Sequence, residues 1–231
     1  MTVGIQICSG SEWRATKALL ALSPGQLGSF PYGEHASVTI ADRACVVFHS
    51  RRTKTRAAGA CQYAIDHWDV DPLLVLGTCG GVAKHLRVGD IVFATQTVQW
   101  DCVDRLNAMT GPFLDSMTVR PDHRWLDLAA LAGRLHPGIV ASADQDVTFD
   151  EVAVLRTHDV LAADWESGAI ALVCAVNQVR WAVFRGVTDV PHRAGVDDAR
   201  RQGEDYKANT HGVMAALLAL LPDILCRVDV S

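Results

Sequence analysis

Two acidic groups stand where apolar runs end. Val160 to Ala163 leads into Asp164-Trp165-Glu166-Ser167-Gly168, and Trp181 to Val187 leads into Thr188-Asp189. A carboxylate at the end of a buried strand is costly to desolvate unless it has a partner or a task. In α/β proteins ligands gather at the carboxyl ends of strands. Two such groups on neighbouring segments point to a site that handles charge. A third signal is Gly77-Thr78-Cys79-Gly80-Gly81, directly after the apolar run Pro72 to Leu76. Glycines there let the backbone approach a ligand and bare its amide donors. A tight turn explains the same run equally well. It is neither a Walker loop nor a GxGxxG fingerprint, lacking the lysine and the spacing.

The elements that must position these groups alternate between strand and helix. Residues 3–8 read as a first strand. Ser11 reads as the N-cap of a helix from Glu12 to Leu22. Strands at 36–41 and 44–49 flank an Asp42-Arg43 turn, and apolar residues at three- and four-residue steps mark a helix over 53–68. A buried strand at 72–76 feeds the glycine run, read as a turn, and a strand covers 90–98. Residues 101–121 read as a long loop, followed by a helix over about 121–134, a strand at 138–143 and a short helix at 150–157. After the strand into Glu166 come a helix at 167–177, a strand at 179–187 and a long helix to about Leu221, stopped by Pro222. With 231 residues, no linker-like stretch and no internal repeat, the expectation is one α/β domain over 1–231 with a mostly parallel sheet.

The bulk composition excludes several classes. Net charge is −5, and Arg51-Arg52-Thr53-Lys54-Thr55-Arg56 is the one basic cluster, so no nucleic-acid partner is expected. Seven scattered cysteines lack metal or disulfide spacing, and neither an export signal nor a membrane-spanning run is read. A cytoplasmic protein without membrane contact, metal or cofactor is expected.

Gly77-Thr78-Cys79-Gly80-Gly81-Val82, followed by Leu86-Arg87-Val88-Gly89-Asp90-Ile91-Val92, resembles the GSAGG…LKVGDIVV segment of 5′-methylthioadenosine/S-adenosylhomocysteine nucleosidases, within the purine nucleoside phosphorylase/uridine phosphorylase superfamily. Asp164 to Ala171 resembles that family's EMEATAIA block and Arg185 to Val190 its RAISDV. The strand, turn and acid from Gly4 to Glu12 match its entry. The matches keep their order over nearly the whole chain. They imply a nucleoside phosphorylase-like fold and cleavage of an N-glycosidic bond through an oxocarbenium-like transition state, in a protein that pairs into at least a homodimer.

The resemblance assigns roles residue by residue. Asp189 matches the acid that serves purine N7, Glu166 the carboxylate that grips the ribose hydroxyls, and Glu12 the base that takes a proton from water. Thr78 and Arg185 match residues that help hold that water. Gly80, Asp146, Val147 and Trp165 fall at the substrate, with Asp164 as an orienting group beside it. Read alone, Asp189 is as well a helix cap or Asx turn, Glu12 a first-turn helix acid and Arg185 an ion-pair former.

Three departures bear on the substrate. Phosphorylases of the family carry an arginine where this chain has Val75, which favours water over phosphate as the nucleophile. The family's Ser-Gly-Ile-Gly loop is here Ser50-Arg51-Arg52-Thr53, so Arg51 and Arg52 are candidates for contact with an anion or an acidic substituent. The family's Ser-Gly-Asp-Ala-Phe-Ile is here Ser142-Ala143-Asp144-Gln145-Asp146-Val147, so Asp146 replaces the residue that stacks on adenine. That leaves open a guanine-like or modified base. Trp100, Met109, Pro112, Phe113 and Met117 are candidates to cover the 5′ group or to pack in the core, and His192 to touch substrate or lie on the surface. The leading expectation is a nucleoside hydrolase. A phosphate-dependent phosphorylase and a non-catalytic nucleoside-binding protein stand as alternatives.

Overall fold

The computed structural model describes residues 2–103, 117–191 and 196–228. Its first half alternates β1 (Thr2–Ile7), α1 (Gly10–Leu19), β2 (Gly28–Phe30), β3 (Gly33–Ile40), β4 (Arg43–His49), α2 (Lys54–Trp68) and β5 (Val70–Gly81). The second half adds β6 (Ile91–Gln99), β7 (Thr118–Val119), β8 (His136–Ser142), α3 (Phe149–Arg156), β9 (Val160–Asp164), α4 (Ser167–Val176), β10 (Trp181–Asp189) and α5 (Val196–Leu225).

All the strands join one mixed sheet, ordered β2-β3-β4-β1-β5 and then β9-β8-β6-β10, with β7 added beside β6. β10 also returns to pair with β5, so β5, β9, β8, β6 and β10 form a closed ring. β4, β1, β5 and β10 run parallel, as do β6, β8 and β9. The β2–β3–β4 edge and the two seams of the ring are antiparallel. The glycine end of β5 thereby meets Ala163 of β9 and Asp189 of β10 at one point, Gly80.

Alternating side chains of β5 face two cores. Leu74 and Leu76 join Ile5, Ile7 and Phe184 under α1 and α5; Leu73 and Val75 join Val183 under α2 and α4. Each fully buried Leu or Phe stabilises the fold by about 1.5–3 kcal/mol. α2 brings Ala57, Ala60, Cys61 and Ala64 to the sheet, small residues that let it lie close. Its Cys61 meets Cys174 of α4 with the sulfurs 3.6 Å apart, both as free thiols.

Several sequence expectations need correction. The run Gly77–Gly81 is not a turn but the last part of a 12-residue strand. The N-cap of α1 is Ser9, not Ser11. The helix expected over 121–134 is reduced to a 3-10 turn at Ala129–Leu131. There Asp122 and Asp127 accept the backbone N–H of Arg124 and Ala129, local bonds that compete with helix. Trp125, Leu126 and Leu131 still reach the core. Pro222 does not stop α5, which runs past it to Leu225, because Leu221, Ile224 and Leu225 are buried behind it. The stretch Arg200–Leu225 is long and apolar enough to cross a membrane by length and composition, more than the sequence reading allowed. Here Val213, Met214, Leu217 and Leu220 spend that apolarity in the core.

Candidate active site

The site begins where β1 hands over to α1. Ser9 caps the helix: its hydroxyl accepts the Glu12 N–H at 3.2 Å, and its own N–H donates to Glu12 Oε2 at 2.8 Å. This capping box folds the Glu12 carboxylate back over the helix start. Glu12 Oε1 accepts from the backbone N–H and the hydroxyl of Thr78, at 2.7 and 2.6 Å. The side chain is thus fixed from two elements and buried, at 2% exposure.

Asp164, the last residue of β9, holds the next part together. Its Oδ1 accepts from the Ser142 hydroxyl at 2.6 Å and from the N–H groups of Glu166 and Ser167 at 3.1 Å. Its Oδ2 accepts from the Ser167 hydroxyl and pairs with Arg185 Nε at 2.7 Å. Arg185 also donates to Ser167 from Nε at 3.0 Å. Its Nη1 and Nη2 are buried without a hydrogen bond, as is Glu166 Oε1. Glu166 Oε2 lies 3.7 Å from Arg185 Nη2. Buried polar groups in this state are open to a hydrogen bond from water or a ligand. Burial pushes the Glu166 carboxyl up to about 8, against the pull of Arg185.

Asp189 closes β10 beside Gly80, accepting from the Thr188 hydroxyl at 2.8 Å. Burial lifts its carboxyl to about 6, with small additions from the charges of Asp205 and Asp146. Glu12, Glu166 and Asp189 all face one cavity of about 390 Å³, a size suited to a small ligand. Thr78, Gly80, Asp146, Val147, Asp164, Trp165 and Arg52 share its wall.

Arg185 lies behind that wall, in contact with Asp164 and Ser167. Arg51 faces away, into a second cavity with Trp13 and His49, so the two arginines of the loop part company. Asp146 accepts from the Trp165 indole N–H at 3.2 Å, and the Arg52 guanidinium lies 5.4 Å from the Trp165 ring centre. Thr78 binds the Glu12 carboxylate itself. Trp100 packs against the small core of Val98 and Val152, and Met117 accepts from Gln99; neither lines the cavity. Met109, Pro112, Phe113 and His192 lie outside the described residues.

Sequence reading missed Ser9 and the start of α5. Gln202, Gly203, Tyr206 and Lys207 line the cavity, and the Tyr206 hydroxyl bonds with those of Ser9, at 2.9 Å, and Ser11. A polar helix face over a cavity has the same periodicity as one over water. Among the described residues no three His, Cys, Asp or Glu side chains are grouped as a metal site needs.

A family model described as the phosphorylase superfamily matches residues 5–224. A 5′-methylthioadenosine/S-adenosylhomocysteine nucleosidase of Thermotoga maritima is 27% identical over 156 residues, 66% of this chain and 69% of that one. The fold is similar to that of a Helicobacter pylori nucleosidase of the same name, with TM-score 0.81, 20% identity and 98% of each chain covered. It is also similar to a futalosine hydrolase of Helicobacter pylori, with TM-score 0.78, 21% identity, and 98% and 97% covered.

Proposed function

The chain belongs to the phosphorylase superfamily, and from that premise we propose that it is a nucleosidase, hydrolysing the N-glycosidic bond of a purine-type ribonucleoside. One observation carries the reading: three buried or half-buried carboxylates from different parts of the chain, Glu12, Glu166 and Asp189, face one cavity. The relatives named as nucleosidases and as a futalosine hydrolase support it.

In this reading Asp189, whose carboxyl burial holds at about 6, donates its proton to the departing base as the C1′–N bond breaks. Glu166 binds the ribose hydroxyls; burial lifts its carboxyl to about 8, so it is the ionised fraction at neutral pH whose charge favours the cationic sugar of the transition state over the neutral substrate. Glu12 takes a proton from water as the water oxygen bonds to C1′, and free base and a ribose derivative leave. Arg185, behind the wall, supports the site by holding Asp164 and Ser167. Thr78 acts on Glu12, orienting it with two hydrogen bonds.

Water rather than phosphate is favoured because Val75 is fully buried in the apolar core under α2 and the Glu12 carboxylate would repel an anion. Asp189 and Asp146 both line the cavity, with Trp165 and Tyr206 among its walls. This suits a purine whose edge presents N–H donors. Turnover of adenosine, methylthioadenosine, guanosine and base-modified nucleosides, with and without inorganic phosphate, tests the reading. Release of base and free sugar without phosphate is the expected result. Ribose 1-phosphate made only with phosphate would establish a phosphorylase, and tight binding without turnover a nucleoside-binding protein. A homodimer belongs to the same proposal, and sedimentation tests it.

A further inference from the structure

We propose that Tyr206, on α5, is a positioning residue for Glu12, acting on the base through the Ser9 hydroxyl. The proposal rests on the nucleosidase reading above. Ser9 and Tyr206 stand 197 residues apart in the chain, and their hydroxyls meet at 2.9 Å. The Tyr206 hydroxyl also bonds with that of Ser11, and the two serine hydroxyls lie 3.2 Å from each other. Both Ser9 and Tyr206 line the cavity that Glu12 faces.

Three hydroxyls that meet pairwise form a closed set. Each has one proton to donate and two lone pairs, so a circuit of three bonds uses every donor. Ser9 then offers its remaining lone pair to the Glu12 N–H. Its rotor is held by Tyr206 and Ser11 on one side and by the helix start on the other. The Ser9 N–H in turn donates to Glu12 Oε2. A displacement of Ser9 is therefore passed to the backbone and the carboxylate of Glu12 together.

The next turn of α5 anchors the tyrosine. Residues three and four apart share a helix face, and both such neighbours of Tyr206 are tied. Asn209 donates from Nδ2 to the Thr188 carbonyl at 2.9 Å, and the Thr188 hydroxyl donates to Asp189. The buried Thr210 hydroxyl donates back to the Tyr206 carbonyl. One turn of α5 is thus fastened beside the acid Asp189 and reaches across to the support of the base. The strands carrying the two groups, β1 and β10, both pair with β5. Tyr206 adds a second tie between them, from the cavity wall.

Tyr206→Phe deletes the hydroxyl and keeps the ring. It is assayed with whichever nucleoside of the panel above is cleaved fastest. The expected result is a kcat lower by about 10- to 100-fold, the scale of a small misplacement of a reacting group, with KM within about threefold. In the Glu12→Gln background the same substitution should lower the residual kcat by less than about threefold, since residues acting as one unit are not additive. An unchanged kcat in Tyr206→Phe overturns the proposal. So does an equal fold loss in both backgrounds, which would mean that the hydroxyl meets substrate directly or only supports the fold. If no nucleoside is cleaved, the nucleosidase reading fails, and urea unfolding still decides whether Tyr206 acts through Ser9. Tyr206→Phe and Ser9→Ala together should lower the midpoint by clearly less than the sum of the two single shifts. Additive shifts overturn the proposal.

Discussion

Arg185 occupies the space that a side chain on Gly77 would need. A β-carbon at Gly77 would lie 2.1 Å from Arg185 Nη1 and 3.0 Å from Glu12 Oε1, and the two residues are register partners on β5 and β10. The guanidinium is fully buried and tied to Asp164, so it has little room to yield. Gly77→Ala is expected to destabilise the fold by about 1–3 kcal/mol through overpacking and to lose most turnover. Urea unfolding beside an activity assay checks this; unchanged stability with full activity would refute the geometry.

Glu12 serves both the helix start and the proposed chemistry, and the two can be separated. Glutamine also completes a capping box, but its amide has one acceptor oxygen where Glu12 uses two, so Glu12→Gln is expected to cost about 1–3 kcal/mol of stability. Turnover should fall by about 10²–10⁴-fold, the usual contribution of a general base. Ser9→Ala removes the cap and should cost about 1 kcal/mol, with a smaller loss of rate as Glu12 loosens. A rate loss in Glu12→Gln no greater than that in Ser9→Ala would argue against this division.

Asp189→Asn is expected to keep ligand affinity within a few-fold while kcat drops by about 10²–10⁴-fold. In the unsubstituted enzyme kcat/KM should fall as pH rises through about 6, because the proton that we propose Asp189 donates is then lost. A flat profile from pH 5 to 8 would remove Asp189 from the acid's role.

The same carboxyl makes stability depend on pH. Its ordinary value is 3.8 and its folded value about 6. Below pH 3.8 it is neutral in both states and carries no penalty. As pH rises through that value the unfolded chain ionises first, and the folded state loses stability until its own carboxyl ionises near 6. The full penalty, about 1–3 kcal/mol, persists above that. Asp189→Asn lacks it, so the variant should gain on the unsubstituted protein between pH 4 and pH 7. Denaturant curves at the two pH values measure the difference, and a gap that does not widen would contradict the burial argument.

The fold was legible where periodicity and motif agreed. The strands ending at Asp164 and Asp189 and the helices after Thr53 and Glu166 lie within about two residues of expectation. The glycine run was misread because an extended strand and a turn place the same demand on glycine, namely room. Here the room is for Arg185 and the meeting with Asp189. The segment 121–134 has helical composition, but its aspartates bond locally and its apolar groups reach the core without helical pitch. At the site the sequence pointed to the carboxylates but not to Tyr206 or Lys207, since no local pattern tells a helix face over a cavity from one over solvent. Nor did it separate Arg51 from Arg52; one reversed backbone angle sends them to different cavities.

The ring that β10 closes onto β5 has a mutational corollary. Gly80, Ala163 and Asp189 sit on one hydrogen-bonded hoop, so the reacting floor cannot drift without unzipping the barrel. The Arg52 loop and the first turns of α5 hang outside that hoop. Substitutions in the Arg52 loop or on α5 can therefore reshape the mouth of the cavity while Gly80, Ala163 and Asp189 stay in register.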